Sequence, residues 1–537
     1  MSTRLASHAC QHPPNMNHAA KDEIDALTDL YTTTFPSEAI RILLSPAADP
    51  ARSLARELPD AAAAAALQQE GWYPVDIMGD NAPLRYFAVA SAHGEKSDQP
   101  LNLLQQIRET LRRIIIRGAP ILYETLKYIL LGADDLLHRL LRRSLPSLPA
   151  RIEPPVRTVP PNSPRRRMLV TLQWLDVGGA EAFAAHAIER AVARGARVWV
   201  ISQTASRIFY RRALERVEKY FELDRQLPRA YQRQFIENLC RKHGIEVLHN
   251  HHNKEVYACL PALRRAFPGL IVADSLHIEE RFRYQRGAPG YSIIWSPWIN
   301  YHHVVSKTLA KSLMKAGIAQ EKILVGRLGG EINPSPNFRL GHSLAARRLK
   351  ICFVGRMILQ KRPLLAMEML AVAIRIGRKL GVHVTADVIG DGFYRGELER
   401  SVRAHNLSDS VAFHAANVDV PKLMRGADVL LISSDNEGLT LVGCEAFNAG
   451  CLTVSCDVGA QSEIVPEELL LPRRPSSCVR AWKRLVVRML SDPQFVQLAG
   501  EHAQQKMIGF AAVSTADSAL DRVNGDLSPA SGSDILG

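Results

Sequence analysis

The sequence lacks the features that would place the protein in a membrane or outside the cell. Nowhere in its 537 residues is there a run of about eighteen apolar residues, roughly the length that a membrane-spanning helix needs. The opening stretch, MSTRLASHACQHPPN, has no apolar core behind a basic end, so it does not match a secretory signal. We therefore expect a cytoplasmic protein without a transmembrane segment.

Disulfide and metal patterns are also missing. The eight cysteines include no CxxC pair and form no regular disulfide framework. Cys352, Cys444 and Cys456 fall within apolar segments, which indicates reduced core residues. Histidines cluster in the stretch IEVLHNHH, but no carboxylate or cysteine stands near them at the spacing of a metal site. We expect no metal.

Acidic residues are in the minority, because 67 Lys and Arg outnumber 54 Asp and Glu and give a net charge of +13. This balance indicates an anionic partner. Nucleic acid is not expected, since the basic residues are not interleaved with aromatics and no nucleic-acid-binding module is present. Membrane phospholipid fits better, because Leu101 to Leu145 has a helical pattern rich in Leu, Ile and Arg that suits an anionic leaflet. The alternative is a helical pair that covers its own core and exposes a basic face.

The chain is long enough for several domains, and its 47% hydrophobic residues are sufficient for packed cores. The first part is expected to be a small α/β module, with short strands at 40–44, 75–78 and 85–90 around an alanine-rich helix at 61–69, followed by the basic helical segment. A linker rich in Pro and Arg separates this region from two α/β domains, after which come a helical segment, expected to pack back across the first of them, and a disordered tail. The predicted ranges are 1–150, 151–167, 168–340, 341–485, 486–510 and 511–537.

The stretch SSDNEGLTLVGCE, from Ser433 to Glu445, is the most informative in the chain. An apolar run before it predicts a buried parallel strand, and the pattern from Leu439 to the stop at Gly450 predicts a helix. A helix that begins directly after a strand presents free N–H groups and a positive dipole end, which suit a diphosphate. Glu437 lies in the turn, and helix rise would place Glu445 about 12 Å further on. Two carboxylates at that separation suit the two ends of a sugar nucleotide, although both could equally be ordinary helix glutamates.

Two cations follow an earlier predicted strand. In LKICFVGRMILQKRP the apolar run from Lys350 to Val354 ends at Gly355-Arg356, and Lys361 comes five residues later. The carboxyl ends of the strands in an open α/β sheet form its ligand crevice, and a guanidinium with an ammonium can hold a diphosphate there. Solvated loop cations are the alternative interpretation.

Taken in order, these segments resemble the C-terminal half of family 4 glycosyltransferases. The resemblance is carried by Gly355, Arg356 and Lys361, by the turn Gly390 to Gly392, by Glu437 and Glu445, and by Gly459 and Glu463. It implies an α/β protein of the GT-B fold, with two facing Rossmann-like domains preceded by the N-terminal extension.

The resemblance also implies an activity. It implies a retaining, metal-independent hexosyltransferase without a cofactor, which moves sugar from a nucleotide diphosphate sugar to a glycan or lipid-linked acceptor in surface polysaccharide, lipopolysaccharide or glycolipid synthesis. The catalytic residues it implies are Glu437, His277, Arg356 and Lys361. The donor-binding residues are Gly178, Gly179, Gly355, Arg356, Lys361, Gly438, Leu439, Thr440 and Glu445.

The preceding half of the chain fits a second Rossmann-like unit. The stretch from Met168 to Ser202 predicts a strand, a Gly178-Gly179 turn, a helix and a second strand. The GGAE turn resembles the family's glycine loop, where glycine permits close backbone approach. The resemblance places His277 beside the reacting sugar.

Two other function classes stay open. Gly390, Gly392 and Gly396 form a G-x-G-x3-G pattern after a strand, which is found in NAD(P)-dependent oxidoreductases, but no acidic residue clearly ends the next strand to hold a ribose. A catalytically silent nucleotide-sugar binding protein on the same fold is the second alternative.

Overall fold

The computed structural model describes residues 18–36, 38–45, 55–69, 72–77, 85–89, 122–126, 129–130, 166–175, 178–204, 210–278, 287–327 and 330–525. Within these ranges the strands form three sheets, and two of them are entirely parallel. The parallel sheets are the centres of two Rossmann-like domains, whose apolar strands are buried by helices.

The first parallel sheet has the order β11-β10-β9-β8-β5-β6-β7. Its strands are β5 (Arg167–Leu172), β6 (Arg197–Ser202), β7 (Lys219–Glu222), β8 (Val247–His251), β9 (Ile271–Leu276), β10 (Tyr301–Val304) and β11 (Ile323–Val325). The α-helices of this domain are Gly179–Ala193, Arg211–Leu214, Leu223–Gln226, Arg229–His243, Lys254–Ala266, Ala288–Trp295 and Lys307–Lys315, with 3₁₀ turns at Ser296–Trp298 and Gln320–Lys322.

The second parallel sheet has the order β14-β13-β12-β15-β16-β17. Its strands are β12 (Arg348–Val354), β13 (His383–Ile389), β14 (Val411–His414), β15 (Val429–Ile432), β16 (Leu452–Cys456) and β17 (Leu470–Leu471). The α-helices are Leu340–Ala345, Pro363–Leu380, Arg395–Ala404, Val420–Arg425, Leu441–Asn448, Gln461–Ile464, Pro475–Ser491 and Pro493–Ala511, with 3₁₀ turns at Leu359–Lys361 and Glu467–Leu469.

Each parallel sheet reverses its strand order once. The chain runs outward from β5 through β6 and β7 and then returns to the other side of β5 at β8, and it does the same around β12 and β15. Loops diverge at such a reversal and leave a crevice at the carboxyl ends of the strands. Each of the two sheets therefore has one crevice in which a ligand can bind.

A third, mixed sheet precedes the two domains in the chain. Its order is β2-β4-β1-β3, and it carries the helices His18–Thr34 and Ala61–Gln69. The strands are β1 (Ile40–Leu44), β2 (Arg56–Leu58), β3 (Tyr73–Ile77) and β4 (Arg85–Val89). The three strands and the alanine-rich helix predicted from the sequence are confirmed; β2 and the first helix were not predicted.

This module is not a separate unit, contrary to the sequence-based prediction. Its apolar side chains, including those of Leu30 and Phe87, belong to one buried cluster with Trp199 and Phe235 of the first Rossmann-like domain. A buried ion pair of 2.6 Å also joins Glu23 to Arg225. Because these residues of the module and of the first domain are far apart in the sequence, no local pattern could have revealed that they share a core.

The C-terminal helices connect the two domains differently from the prediction. The segment 486–510 packs in the core of the second domain, and the helix that returns to the first domain is Ala516–Asn524. Disorder was predicted for the residues of this helix. That prediction is wrong because the helix buries Leu520 and Val523 against the first domain, while Asp517 and Asp521, one turn apart, form ion pairs of 2.7 Å with Arg190.

Among the residues that the structure describes, no helix combines the length and the apolar character that crossing a membrane requires. The basic segment Leu101 to Leu145 lies outside the described residues except for 122–126 and 129–130. Its predicted membrane contact stays a prediction.

Candidate active site

The two crevices face each other across a cleft of about 760 Å³. From the first domain it is lined by the carboxyl ends of β5, β8 and β9 and by the start of the helix Gly179–Ala193. From the second domain it is lined by the loops that follow β12 and β15. The predicted site residues that line it are Gly179, His277, Arg356, Lys361, Glu437, Gly438 and Leu439.

An ion pair stands at the second domain's side of the cleft. Lys361 Nζ lies 2.5 Å from Glu437 Oε1, and the Glu437 residue is only 6% exposed. The sequence predicts separate tasks for these two residues, whereas in the structure they form a direct ion pair. Arg356 follows β12 and is exposed to solvent at the cleft. The arrangement thus combines one open guanidinium with an ammonium that is already held in place by a carboxylate.

The loop that carries Glu437 is held by a buried arginine. Arg362 donates hydrogen bonds from Nε to the Ser433 carbonyl at 2.7 Å and from Nη2 to the Ser434 carbonyl at 2.9 Å. Gln360 Nε2 donates to the Asn436 carbonyl at 2.8 Å. These contacts fix the backbone just before Glu437. Arg362 could not be recognised from the sequence, because there it is one more loop cation next to Lys361 and its burial depends on the fold.

Gly438 brings the backbones of the two domains into contact. It forms an antiparallel bridge with Ile278, directly after the predicted His277. A Cβ atom at position 438 would lie 1.6 Å from the His277 carbonyl oxygen, a distance that no side chain can occupy. The Gly459 backbone, with φ 57°, packs against the backbone of Glu437, and a Cβ atom at position 459 would lie 1.9 Å from the Glu437 carbonyl oxygen. Glycine is therefore required on both sides of Glu437.

A second contact between the domains is made by Glu463. Its Oε1 accepts hydrogen bonds from the Thr308 backbone N–H at 2.6 Å and from the Thr308 hydroxyl at 2.5 Å, and Oε2 accepts one from the Lys307 N–H at 3.2 Å. These N–H groups belong to the first turn of the helix Lys307–Lys315, where a carboxylate is favourable. Glu463, the last of the residues that carry the family resemblance, thus connects the helix Lys307–Lys315 of the first domain to the second domain.

The glycine turn after β5 begins the helix Gly179–Ala193 at the cleft. Gly178 is in an extended conformation, and Gly179 is the first helical residue. A Cβ at position 179 would lie 4.0 Å from Leu441 Cδ1 of the second domain, so the helix start faces that domain closely. Gly178 and Gly355, which follows β12, are not among the residues that line the cleft.

Glu445 and Thr440 lie apart from the cleft lining. Glu445 is on the exposed side of the helix Leu441–Asn448, and partial burial of its carboxyl raises the pKa of that group. Thr440 is buried, and its hydroxyl is hydrogen-bonded to the Gln461 side chain at 3.1 Å. What Thr440 can present to a ligand from the helix start is therefore its backbone.

Neutral histidines form the first domain's side of the cleft. Burial lowers the pKa of His252 to about 4 and holds the pKa values of His251 and His277 well below the ordinary value. The His277 backbone N–H donates to His252 Nε2 at 3.3 Å, so this nitrogen acts as an acceptor. Within the described chain, His277 Nε2 and both ring nitrogens of His251 have no hydrogen-bond partner. The imidazoles beside the cleft are therefore neutral, and these unpaired nitrogens are buried rather than exposed to solvent.

Two further histidines stand behind this row. His249 Nε2 lies 2.8 Å from the Ser275 hydroxyl, and His303 Nε2 lies 2.8 Å from the Gly326 carbonyl oxygen. Burial lowers the pKa of His249 to about 3 and that of His303 to about 4. In the part of the chain that the structure describes, no group of three or more His, Cys, Asp or Glu is arranged to hold a metal ion.

Two Rossmann-like domains with a cleft between their switch points define the GT-B class of fold. A family model described as Glycosyltransferase Family 4 matches residues 177–327, and one described as Glycosyl transferases group 1 matches residues 348–492. The two matches together span more than half of the chain. The protein belongs to the family 4 glycosyltransferases.

Individual relatives are distant. The 2-deoxystreptamine glucosyltransferase of Streptomyces kanamyceticus is 32% identical over 149 residues, which are 27% of this chain and 36% of that protein. The chain thus matches about a third of that relative's length. Anabaena HepE, solved in complex with UDP and glucose, has a TM-score of 0.50 at 18% identity and covers 66% of this chain and 97% of its own. Sucrose-phosphate synthase from Thermosynechococcus elongatus has a TM-score of 0.48 at 17% identity, covering 66% and 96%.

Proposed function

We propose that the protein transfers a sugar from a nucleotide diphosphate sugar to an acceptor hydroxyl, with retention of configuration at the sugar. The observation that carries the proposal is the convergence of Lys361, Glu437 and His277 where Gly438 and Ile278 join the two domains. Cations, a carboxylate and a neutral imidazole meet there in one cleft. A sugar diphosphate needs this set, because negative charge develops on the phosphate while the sugar hydroxyls need hydrogen bonds.

The cations act on the leaving group. As the bond from the sugar to the phosphate breaks, negative charge grows on the diphosphate, and Arg356 with Lys361 stabilises it more in the transition state than in the ground state. Arg356 is open to the cleft, while Lys361 is held by Glu437 at 2.5 Å and is therefore positioned before the donor arrives. The departing phosphate oxygen takes the proton of the acceptor hydroxyl, so the reaction needs no separate side-chain base.

The remaining residues hold the two ends of the donor. Glu437 accepts hydrogen bonds from hydroxyls of the transferred sugar, and neutral His277 supports that sugar from the first domain. Glu445 binds the nucleotide ribose, and the backbone from Gly438 to Thr440 offers N–H groups at the helix start. Glu445 lies outside the lined cleft, so this role places the nucleoside along the exposed side of the helix Leu441–Asn448.

A thermal-shift screen tests the proposal. The full chain is incubated with UDP, GDP and ADP and with their sugars, and a ligand that binds the folded state raises Tm according to its affinity. We expect one nucleoside to stand out and its sugar nucleotide to be consumed slowly in the absence of acceptor. Binding without any turnover or donor hydrolysis would instead support a catalytically silent binding protein.

The same screen includes NAD and NADP. The glycine pattern after β13 has a structural explanation, because a Cβ at Gly390 would lie 2.1 Å from the Gly355 carbonyl oxygen. Gly390 is thus needed for packing of two strand ends within the sheet. Tight binding of a dinucleotide and no response to nucleotide sugars would nevertheless overturn the proposal.

We also propose that the acceptor is part of a surface glycan or is lipid-linked, and that the basic segment Leu101 to Leu145 holds the enzyme at the inner face of the membrane. The support is the net charge of +13 and the arginines of that segment. Liposome co-sedimentation tests this point. Binding to anionic vesicles that is lost at high salt would support it, whereas absence of binding at low salt would favour a soluble acceptor.

A further inference from the structure

Trp174 is an exposed aromatic side chain inside the cleft. It comes two residues after β5, lines the cleft, and 42% of its surface is exposed. An indole that stays open at a binding cleft offers a large, rigid apolar face at low conformational cost. None of the roles proposed above for the donor uses it.

Trp174 and His277 follow different strands of the same parallel sheet. The strands β5, β8 and β9 are neighbours, with Leu172 opposite His251. His277 follows β9 at the point where the two domains touch, whereas Trp174 follows β5, two strands away. Two strand spacings amount to about 10 Å. The positions of Trp174 and His277 are therefore about two strand spacings apart along the edge of the sheet, which leaves room for an acceptor beside a donor sugar held at His277.

Polar side chains line the same cleft as Trp174. Lys254 and Glu255 begin the helix that follows β8 and are among them, and Glu255 Oε1 also lies 3.4 Å from Arg229 Nη1. His251 is 3% exposed, lines the same cleft, and neither of its ring nitrogens has a hydrogen-bond partner within the described residues. An apolar face with donors and acceptors around it suits a ring that has an apolar face and a rim of hydroxyls.

We propose that Trp174, Lys254, Glu255 and His251 form the acceptor subsite, and that it takes a saccharide ring stacked on the Trp174 indole. The inference rests on the proposed function and names the class of acceptor. A plain alkyl alcohol fits less well, because it would cover Lys254 and Glu255 without giving them hydrogen bonds. A lipid-linked acceptor is compatible only if a sugar is the part that enters the cleft.

Tryptophan fluorescence of the full chain tests the inference directly. The protein is saturated with the nucleoside diphosphate chosen by the thermal-shift screen and titrated with methyl glucoside, methyl galactoside and maltose, with glycerol and 1-hexanol as controls. We expect a saturable change of emission with a saccharide, and loss of most of that change in Trp174→Phe, which keeps an aromatic ring but removes the indole. Tyr73→Phe, which changes an exposed aromatic residue on β3, serves as a control and should respond like the wild type.

Kinetics provide the second readout. Trp174→Ala should raise KM for a saccharide acceptor about tenfold and change kcat less than threefold, and Trp174→Phe should recover most of the affinity. Affinity for the nucleoside diphosphate should stay within twofold in both variants. An unchanged saccharide response in Trp174→Phe, or a response to 1-hexanol alone, would overturn the inference. Retained nucleotide binding without any saccharide response would overturn it as well, whereas failure of the wild type to bind any nucleotide sugar would overturn the proposed function.

Discussion

Removal of Lys361 should affect both catalysis and stability, whereas removal of Arg356 should affect catalysis alone. Both cations are proposed to stabilise the departing diphosphate, so Lys361→Ala and Arg356→Ala should each lower kcat by roughly 10²- to 10³-fold, as loss of an oxyanion-stabilising donor does. Only Lys361 is also tied to a buried carboxylate, at 2.5 Å. Arg356 is exposed at the cleft.

The magnitude of the stability effect follows from burial. Glu437 is 6% exposed and would lose its cation, and leaving a buried charged group unpaired costs about 3 kcal/mol. For a domain of about 150–200 residues that cost corresponds to a fall in Tm of about 6–12 °C. Arg356→Ala leaves no buried charge behind, so its Tm should stay within about 1–2 °C of the wild type.

Differential scanning fluorimetry and initial-rate kinetics measure the two effects. The double variant Lys361→Met with Glu437→Gln replaces the pair by neutral side chains, so it should regain at least half of the lost Tm while its kcat stays low. As a control, Lys350→Ala removes a cation that lies 2.7 Å from Asp387 on the same sheet, outside the cleft, while His414 stays 2.9 Å from that carboxylate. It should lower Tm less than Lys361→Ala does and leave kcat unchanged.

Two results would refute this reasoning. Equal Tm values for Lys361→Ala and Arg356→Ala would show that the pair with Glu437 contributes nothing to stability. A double variant no more stable than Lys361→Ala would show that the loss comes from something other than the unpaired carboxylate.

Three further predictions address the glutamates, the contact between the domains and acid stability. Glu445→Ala should weaken binding of the free nucleoside diphosphate in calorimetry, whereas Glu437→Gln should spare it and depress transfer; equal losses would show that the two roles are misplaced. Gly438→Ala, whose Cβ would lie 1.6 Å from a backbone oxygen, should lower turnover about 10²-fold, whereas Gly426→Ala, with its nearest atom at 3.4 Å, should be neutral in the same rate assay. Burial lowers the pKa of His303 from 6.5 to about 4. As the pH falls from 6.5 towards 4, the unfolded chain therefore binds a proton at this histidine that the folded protein does not bind. The free energy of unfolding is at its full value above pH 6.5 and decreases over this range by about 3 kcal/mol. Tm measured from pH 7.5 to 4.5 should therefore fall less steeply in His303→Gln, and an identical slope would contradict this origin.

Several site residues could be predicted because they follow strands that are recognisable from local composition. Arg356 comes directly after the apolar run that forms β12, and Glu437 after the run that forms β15. Parallel strands end at the same edge of their sheet, so residues that follow them meet there regardless of the distance between them in sequence. This property makes α/β crevices readable from sequence, and it brings Arg356, Lys361 and Glu437 to one cleft in the structure.

Residues whose role depends on packing could not be predicted in this way. Arg362 is buried and holds the loop before Glu437, yet in the sequence it is one of two adjacent loop cations. The ion pair between Lys361 and Glu437 joins positions 76 residues apart. The tail that contains the helix Ala516–Asn524 has a composition that suggests disorder, yet the helix buries Leu520 and Val523 against the first domain and pairs with Arg190, more than 300 residues away.

The sequence by itself determined the alternation of strands and helices, the glycine turns and the motifs of the glycosyltransferase family, because these depend on local periodicity and on residue types at fixed spacing. Only the tertiary structure decided that Gly438 lies against the His277 carbonyl, that Glu463 binds the N-terminus of a helix in the other domain, and that Trp174 stays exposed in the cleft. These facts depend on which surfaces meet when the two domains pack. The packing of the two domains depends on the shape and burial of residues from the whole chain, so it cannot be predicted from any short stretch of sequence.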